Sequence, residues 1–429
     1  MEKTENKVKK KDITKKVVGI VSIFLSLVLA FMAGFFANHI TSPKSIKTTS
    51  EVIEIIEEYG YVVDENGNLK KLTETDYANA LVTGLLDRYA KYYTKEEYQK
   101  KKNQQKGQYS GFGISIDSTD EYPVVVNIVG NSPAERAGIK LGDKILSGTA
   151  NEQTVRFNLV DMGDYLNGLE NNAQVVFEVE RNGEKLFISV IKSSYKATYI
   201  KYYDNQGQII FDFDNGLEER VEDKRIDVDS DTALIKIESF EGDVAYQLKK
   251  ALEYMQKNNR TKLILDLRNN GGGYMDDLVA VSRQLIYNDG KATLIAYAQG
   301  KGDSESFYMY GQEKNESITD VVVLANEGTA SASECLIGAM LCYGEKNFTK
   351  EKLILEKNSD GVARTYGKGI MQTTYLLSNG GAIKLTTAKI LWPDMSTCIH
   401  DVGIRTVAEN EVNAGNDAII RARQILSQS

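Results

Sequence analysis

Val321-Val322-Val323-Leu324-Ala325-Asn326-Glu327-Gly328-Thr329-Ala330-Ser331-Ala332-Ser333-Glu334 is the stretch on which the reading of this chain turns. The apolar run Val321–Ala325 suits a buried strand. Small residues then turn the chain, and Leu336, Ile337, Met340 and Leu341 recur at helical spacing. Ser331 therefore falls near a helix N-terminus, where the dipole favours a developing negative charge. By itself, such a serine is first of all a helix cap.

Two further segments flank this one. Upstream, Leu263-Ile264-Leu265-Asp266-Leu267-Arg268-Asn269-Asn270-Gly271-Gly272-Gly273 runs from an apolar strand into three glycines and then a helix. Its backbone can offer N–H donors to an anion, or simply make a tight turn. Downstream, Thr365-Tyr366-Gly367-Lys368-Gly369-Ile370-Met371-Gln372 sets a lysine between two glycines, before a strand. A phosphate-binding loop is ruled out: five residues separate Gly361 from Gly367, and Gly369 stands where Ser or Thr would bind magnesium. A solvated loop lysine is the plainer reading of that segment alone. From about residue 231, strand-like runs (Ala233–Ile237, Lys262–Leu267, Thr293–Ala298, Val321–Ala325) alternate with helical patterns, notably Asp243–Asn258 and Met275–Tyr287. That alternation predicts a partly parallel sheet covered by helices.

Residues 109–195 have another texture, with short β-like runs, a Ser132-Pro133-Ala134…Gly138 helix signature and an Asn182-Gly183 hairpin. Gly111-Phe112-Gly113-Ile114, with Ser132-Pro133-Ala134 and Gly138-Ile139-Lys140-Leu141-Gly142-Asp143, resembles a PDZ domain. The resemblance implies that Gly111, Phe112, Gly113 and Ile114 present backbone N–H groups to a peptide's terminal carboxylate, the peptide adding a strand to a sheet edge.

The N-terminus predicts a membrane anchor. Lys3, Lys7, Lys9, Lys10, Lys11, Lys15 and Lys16 precede an uncharged, mostly apolar run, residues 17–37. As a helix the run spans about 31 Å, enough to cross the hydrocarbon core. The lysines belong on the cytoplasmic side, which puts everything after His39 outside: a single-pass protein of the cell membrane with its bulk extracytoplasmic. Phe35-Phe36-Ala37-Asn38 does not resemble a signal-peptide cleavage site. Residues 41–50 read as a polar linker, two helical patterns follow, and the charged stretch from Lys95 to Lys106 reads as a solvated helix or connector.

Composition narrows the chemistry. A net charge of −8 argues against nucleic-acid binding. Three scattered cysteines, Cys335, Cys342 and Cys398, offer neither a zinc site nor a disulfide framework, so no metal is expected. With only His39 and His400 present, a Ser-His-Asp triad would rest on His400 alone.

Together these segments, in this order, resemble the C-terminal processing peptidases, or tail-specific proteases. The run Leu86-Asp87-Arg88-Tyr89-Ala90-Lys91-Tyr92-Tyr93-Thr94 looks like that family's N-terminal helical region. The resemblance implies an α/β core of the Clp protease/crotonase-like type with an inserted β-rich PDZ domain. It divides the chain into a basic segment 1–16, an anchor 17–37, a helical region 50–108, a PDZ domain 109–195 and a serine protease core 196–429. It assigns Ser331 as nucleophile, Lys368 as general base and Gln372 as the residue orienting that lysine. The oxyanion hole would come from the N–H groups of Ala332 and Gly273. Substrates would be polypeptides with exposed C-terminal tails, no cofactor is implied, and homo-oligomerisation stays open. Two departures stand out. Tyr343–Lys357 is enlarged, which predicts an added loop near the site, and Gly403-Ile404-Arg405 is followed by Thr406-Val407 rather than a Pro-Asp pair.

The chemistry fits the assignment. A serine hydroxyl needs a base, and with histidine scarce a neutral lysine can serve once burial lowers its pKa. No acidic residue lies between Asp360 and Asp394 to hold Lys368 charged locally. Two rivals share parts of the pattern: a catalytically silent PDZ scaffold that captures tails, and a non-proteolytic hydrolase on the same fold. The trio Ser331, Lys368 and Gln372 argues against the first, and the PDZ unit against the second.

Overall fold

A computed structural model of the chain describes residues 44–428 except 65–66, 159, 214–216, 222–225, 288–289, 312–316 and 345–347. The chain divides into two units, Met1–Ala80 and Leu81–Ser429. The apolar segment 17–37 lies outside the described residues, among which no helix is long and apolar enough to cross a membrane. Helix α1 (Lys44–Tyr59) takes in most of the stretch expected to be a linker. Pro43 stands just before it and no glycine interrupts it until Gly60, so local propensity favours helix over coil there. Helix α2 (Glu74–Leu85) starts on a reciprocal pair, Thr73 N–H donating to Asp76 Oδ2 (2.8 Å) and Asp76 N–H to Thr73 Oγ1 (3.3 Å).

Helix α3 (Lys95–Gln105) opens on a full capping box between Thr94 and Glu97. The paired strands Gln108–Gly111 and Ser193–Lys196 then lead into and out of a β-rich domain. Its sheet runs in the order Ile114–Asp117, Val124–Ile128, Lys144–Ala150, Gln174–Arg181, Glu184–Ile191, with Gln153–Arg156 on the third strand. Asn182 and Gly183 have positive φ (53° and 81°), as a two-residue hairpin turn requires. Two short helices, α4 (Pro133–Ala137) and α5 (Met162–Gly168), close a core of Phe112, Ile145, Val175, Phe177 and Val179.

The central sheet holds eight strands, in the order Leu217–Val221, Gly207–Asp212, Ile200–Asp204, Thr232–Ile237, Lys262–Asp266, Asp320–Ala325, Leu353–Glu356, Glu411–Val412. From Thr232–Ile237 onward neighbours run parallel. Alternate residues serve opposite faces: Leu263, Leu265, Val321 and Val323 pack under α6 (Val244–Lys257), α7 (Met275–Leu285) and α8 (Ala332–Tyr343). Ile264, Val322, Leu324 and Ile354 pack under α9 (Asp417–Leu426). Burial on both faces explains why these strands read as unbroken apolar runs. The enlarged segment 343–357 differs from the expected loop: Leu353, Ile354 and Leu355 are fully buried and form a strand of this sheet. Four apolar-to-charged residues flanked by lysines carry too little periodicity to show this in sequence.

Because the strands Lys262–Asp266 and Asp320–Ala325 are parallel neighbours, Asp266 opposite Leu324, the glycine turn and the Ser331 turn leave the sheet side by side. The carboxyl ends of parallel strands are where such folds build sites.

Candidate active site

The Ser331 turn is locked before the serine is reached. Asn326 Oδ1 accepts from the N–H groups of Asn269 (2.9 Å) and Gly328 (3.0 Å). Thr329 Oγ1 donates to Leu267 O (2.8 Å), and Ala330 N–H to Asn270 O (3.0 Å). Ser331 then adopts φ 56°, ψ −116°, a conformation costly for a side-chain-bearing residue and held by these surroundings. Helix α8 begins at the next residue, and the Ala332 N–H has no acceptor among the described residues.

The glycine turn fits against this serine. Asn270, fully buried, donates to Ile237 O (2.8 Å) and accepts from Gly272 N–H (2.9 Å). Gly272 has φ 100°, and a Cβ there would stand 2.8 Å from Ser331 Cβ and 2.9 Å from Ala332 N. Only glycine fits so close an approach. Gly273 lies opposite Phe240, which bonds to Gly272 O and Tyr274 N–H on either side. The Gly273 N–H thus points away from that partner and has no acceptor among the described residues. Gly272 touches the serine but has committed its own N–H. Gly272→Ala is expected to lower kcat/KM at least about 100-fold, with a smaller loss of thermal stability, because the added methyl displaces both Ser331 and the Ala332 N–H.

Glu334, fully buried in the first turn of α8, joins the serine turn to the lysine loop. One oxygen accepts from Ser331 N–H (2.9 Å) and Lys368 N–H (2.9 Å); the other accepts from Gly367 N–H (2.8 Å) and Thr365 Oγ1 (2.5 Å). Thr365 Oγ1 in turn accepts from Ile404 N–H (2.7 Å), and Tyr366 N–H donates to Thr329 O (3.0 Å). Burial pushes the Glu334 carboxyl up; the Thr365 hydroxyl and the N–H groups of Lys368, Gly367 and Ser331 oppose that shift.

Lys368 is half-buried, its Nζ 4.9 Å from the centre of the Tyr89 ring. Desolvation holds its ammonium below the usual lysine range, against the pull of Asp87 and Glu334. Neither carboxylate is local in sequence: they lie 281 and 34 positions away in number (368 − 87, 368 − 334) and act on the lysine because the fold brings them there. Arg88 lies over the rings of Tyr89 (5.0 Å) and Tyr366 (5.9 Å), fixing this wall. Burial raises the Asp87 carboxyl, but the Thr386 hydroxyl and the N–H groups of Tyr89 and Ala90 bring it below the usual range.

Gln372 stands at a register shift in the strand Ile370–Leu376, and its Nε2 donates to Thr386 Oγ1 (3.3 Å). It reaches the surroundings of Lys368 through Thr386 and Asp87; among the described residues no hydrogen bond joins it to Lys368. His400 Nε2 lies 3.6 Å from exposed Asp401, and its buried Nδ1 has no partner among the described residues. No group of His, Cys, Asp and Glu able to hold a metal occurs among the described residues.

Glu334, Asp87, Tyr89, Asn270 and Gly272 were not assigned roles from sequence. Only Glu334 leaves a readable trace, the Ser-x-x-Glu spacing of a capping box.

Gly111 ends a strand paired with Ser193–Lys196, and Ile114 begins the edge strand of the β-rich domain. Neither the Phe112 nor the Gly113 N–H has an acceptor among the described residues. The Phe112 ring is buried edge-on against Phe177 (5.6 Å), so its side chain belongs to the domain core. Gly113 has φ 81°, and a Cβ there would fall 2.1 Å from Ser132 Cβ.

The profile of Peptidase family S41 matches residues 231–406, and that of the PDZ domain matches residues 110–191. The chain is 27% identical over 394 residues to a "Probable CtpA-like serine protease" of Staphylococcus aureus (strain COL), spanning 90% of this chain and 70% of the relative. A protein of the same description from Staphylococcus saprophyticus is 26% identical over 412 residues, spanning 94% and 75%. Among solved structures, the photosystem II D1 C-terminal processing protease aligns at a TM-score of 0.46 and 22% identity, covering 77% of this chain and 80% of that one.

Proposed function

Since the chain belongs to peptidase family S41, as a serine-type peptidase of the C-terminal processing kind carrying a PDZ domain, we propose that it cleaves polypeptides with a Ser331/Lys368 pair. Neutral Lys368 takes the Ser331 Oγ proton as the oxygen attacks the scissile carbonyl carbon. The resulting oxyanion is met by the N–H groups of Ala332 and Gly273, and the α8 dipole adds to the stabilisation. As the C–N bond breaks, the Lys368 ammonium returns its proton to the leaving amine, leaving an acyl-serine. Water, deprotonated by the same lysine, then hydrolyses the ester. Gln372 acts at one remove, holding Thr386 and Asp87 beside the base.

The observation that carries this reading is the Glu334 carboxylate, which ties the backbone of Ser331 to that of Lys368. A fluorophosphonate probe followed by peptide mapping tests it: the label is expected on Ser331, and an intact, folded chain that takes none there would return the silent scaffold to favour. The PDZ loop in this proposal receives substrate C-termini. The lysine-rich segment before residue 17 and the apolar run 17–37 support single-pass anchoring with the protease outside the cytoplasm.

The pH dependence follows from Lys368. Its folded-state pKa lies below the usual lysine value, so activity is expected to rise with pH as the ammonium loses its proton. Between the folded and unfolded pKa values the unfolded chain binds more protons, so this group makes stability rise with pH across that window; its full cost is present below the folded pKa. Lys368→Met is therefore expected to be inactive yet to melt at a higher temperature than the parent below the folded pKa. A variant that melts markedly lower there would make Lys368 a paired structural cation rather than a base.

A further inference from the structure

The groove beside the PDZ loop has a second wall that the PDZ fold does not supply. A cavity of about 1490 Å³ runs from the carboxylate loop between strand Ile114–Asp117, α5 and helix α3. That volume exceeds the ~300–1,000 Å³ of small-molecule sites and suits a length of polypeptide. Its floor is apolar, with Ile114, Ile116, Val129, Met162 and Leu166. Strand Ile114–Asp117 is the edge of its sheet, free to take a further strand.

Helix α3 buries none of its residues, so its sequence, Lys-Glu-Glu-Tyr-Gln-Lys-Lys-Lys-Asn-Gln-Gln, answers to no core of its own. A helix polar all round needs another reason to be held in place. It is held by Lys101, whose ammonium lies over Tyr93 (5.8 Å) and Tyr274 (5.7 Å). This leaves Lys95, Glu96, Gln99, Lys100 and Asn103 along the groove at helical spacing, with Lys106 just past the end. Two other lysines of the groove are already committed: Lys192 donates to Leu169 O (2.6 Å) at the end of α5, and Lys196 pairs with Asp243 (2.8 Å). Lys95, Lys100 and Lys106 are exposed and have no carboxylate partner among the described residues; Glu96 is the one acid among the lining residues. The wall facing an extended peptide is thus net positive, in a protein whose overall charge is −8.

We propose that this groove selects polypeptide C-termini with an apolar last residue and acidic residues a few positions upstream, the tail lying between strand Ile114–Asp117 and the lysines of α3. The inference rests on the reading that the PDZ loop captures terminal carboxylates. At ~3.3 Å per residue, a tail anchored at Phe112-Gly113 passes α3 within a few residues of its end. Charge complementarity there governs selection and encounter more than total affinity.

The test is fluorescence anisotropy on the full-length Ser331→Ala chain, which binds without cleaving. Three peptides share an apolar C-terminal residue: one with upstream glutamates, one with lysines in their place, and the glutamate peptide amidated at its C-terminus. The acidic peptide should bind at least about tenfold more tightly than the lysine peptide at low salt, and the gap should close towards 1 M salt, where the Debye length falls to about 3 Å. A Lys100→Glu/Lys106→Glu variant should reverse the preference, and Lys100→Gln/Lys106→Gln should reduce it. Equal binding of the two free-acid peptides at low salt, or a preference unchanged in both variants, overturns the acidic selectivity while leaving tail capture in place. Undiminished binding of the amidated peptide overturns tail capture itself, and this inference with it.

Discussion

Ser331→Ala is expected to abolish peptide hydrolysis, lowering kcat by roughly 10⁴–10⁶-fold, while the melting temperature stays close to that of the parent. The serine carries its φ of 56° through backbone bonds from Ala330 to Asn270 and from Ser331 N–H to Glu334, all of which an alanine keeps. Lys368→Ala should lose activity on the same scale, because Lys368 is the base the proposed mechanism assigns to Ser331. His400→Ala should keep most activity, since its imidazole faces exposed Asp401. Steady-state kinetics on the three folded variants decides the matter. Activity retained in Lys368→Ala and lost in His400→Ala would sink the Ser/Lys assignment.

Glu334→Gln is the second large effect, and its cause is geometric. Both carboxylate oxygens accept two hydrogen bonds, from Ser331, Lys368, Gly367 and Thr365. A carboxamide has one oxygen, so its NH₂ group must face two of those donors in a fully buried place. Leaving buried donors unpaired costs about 1–3 kcal/mol each, so the variant should unfold about 2–4 kcal/mol more easily in urea. Its kcat/KM should fall at least about 100-fold, since the serine turn and the lysine loop lose their common tie. Glu334→Asp keeps the charge but is one methylene short of spanning both loops, and should also lose activity. Full activity in a folded Glu334→Gln protein would show that other contacts suffice to hold the site.

Local patterns made much of this legible from sequence. The run Val321–Ala325, the three glycines after Leu267 and the Gly-Lys-Gly segment each announce a strand, a turn or a loop through residue types alone; that the loop around Lys368 is largely buried is not written there. The PDZ unit was readable for the same reason: Asn182-Gly183, Ser132-Pro133 and Gly138 each impose a particular backbone conformation. The short strand Leu353–Glu356 was not, because four residues buried by the sheet look no different from a charged loop with a few apolar residues.

Residue chemistry and order along the chain therefore determined the Ser331 turn, the candidate lysine and the Phe112-Gly113 loop, since each is a local property of strand, glycine and cap. Only the tertiary structure decided what surrounds them. Asp87 and Tyr89 come to Lys368 from the start of the second unit, and Glu334 ties together two loops far apart in sequence. The pKa of a base depends on every charge and dipole within several ångströms, and the chain brings those groups from distant positions. Which glycine touches Ser331 and which keeps a free N–H likewise depends on the parallel pairing of Lys262–Asp266 with Asp320–Ala325, a register that no single segment contains.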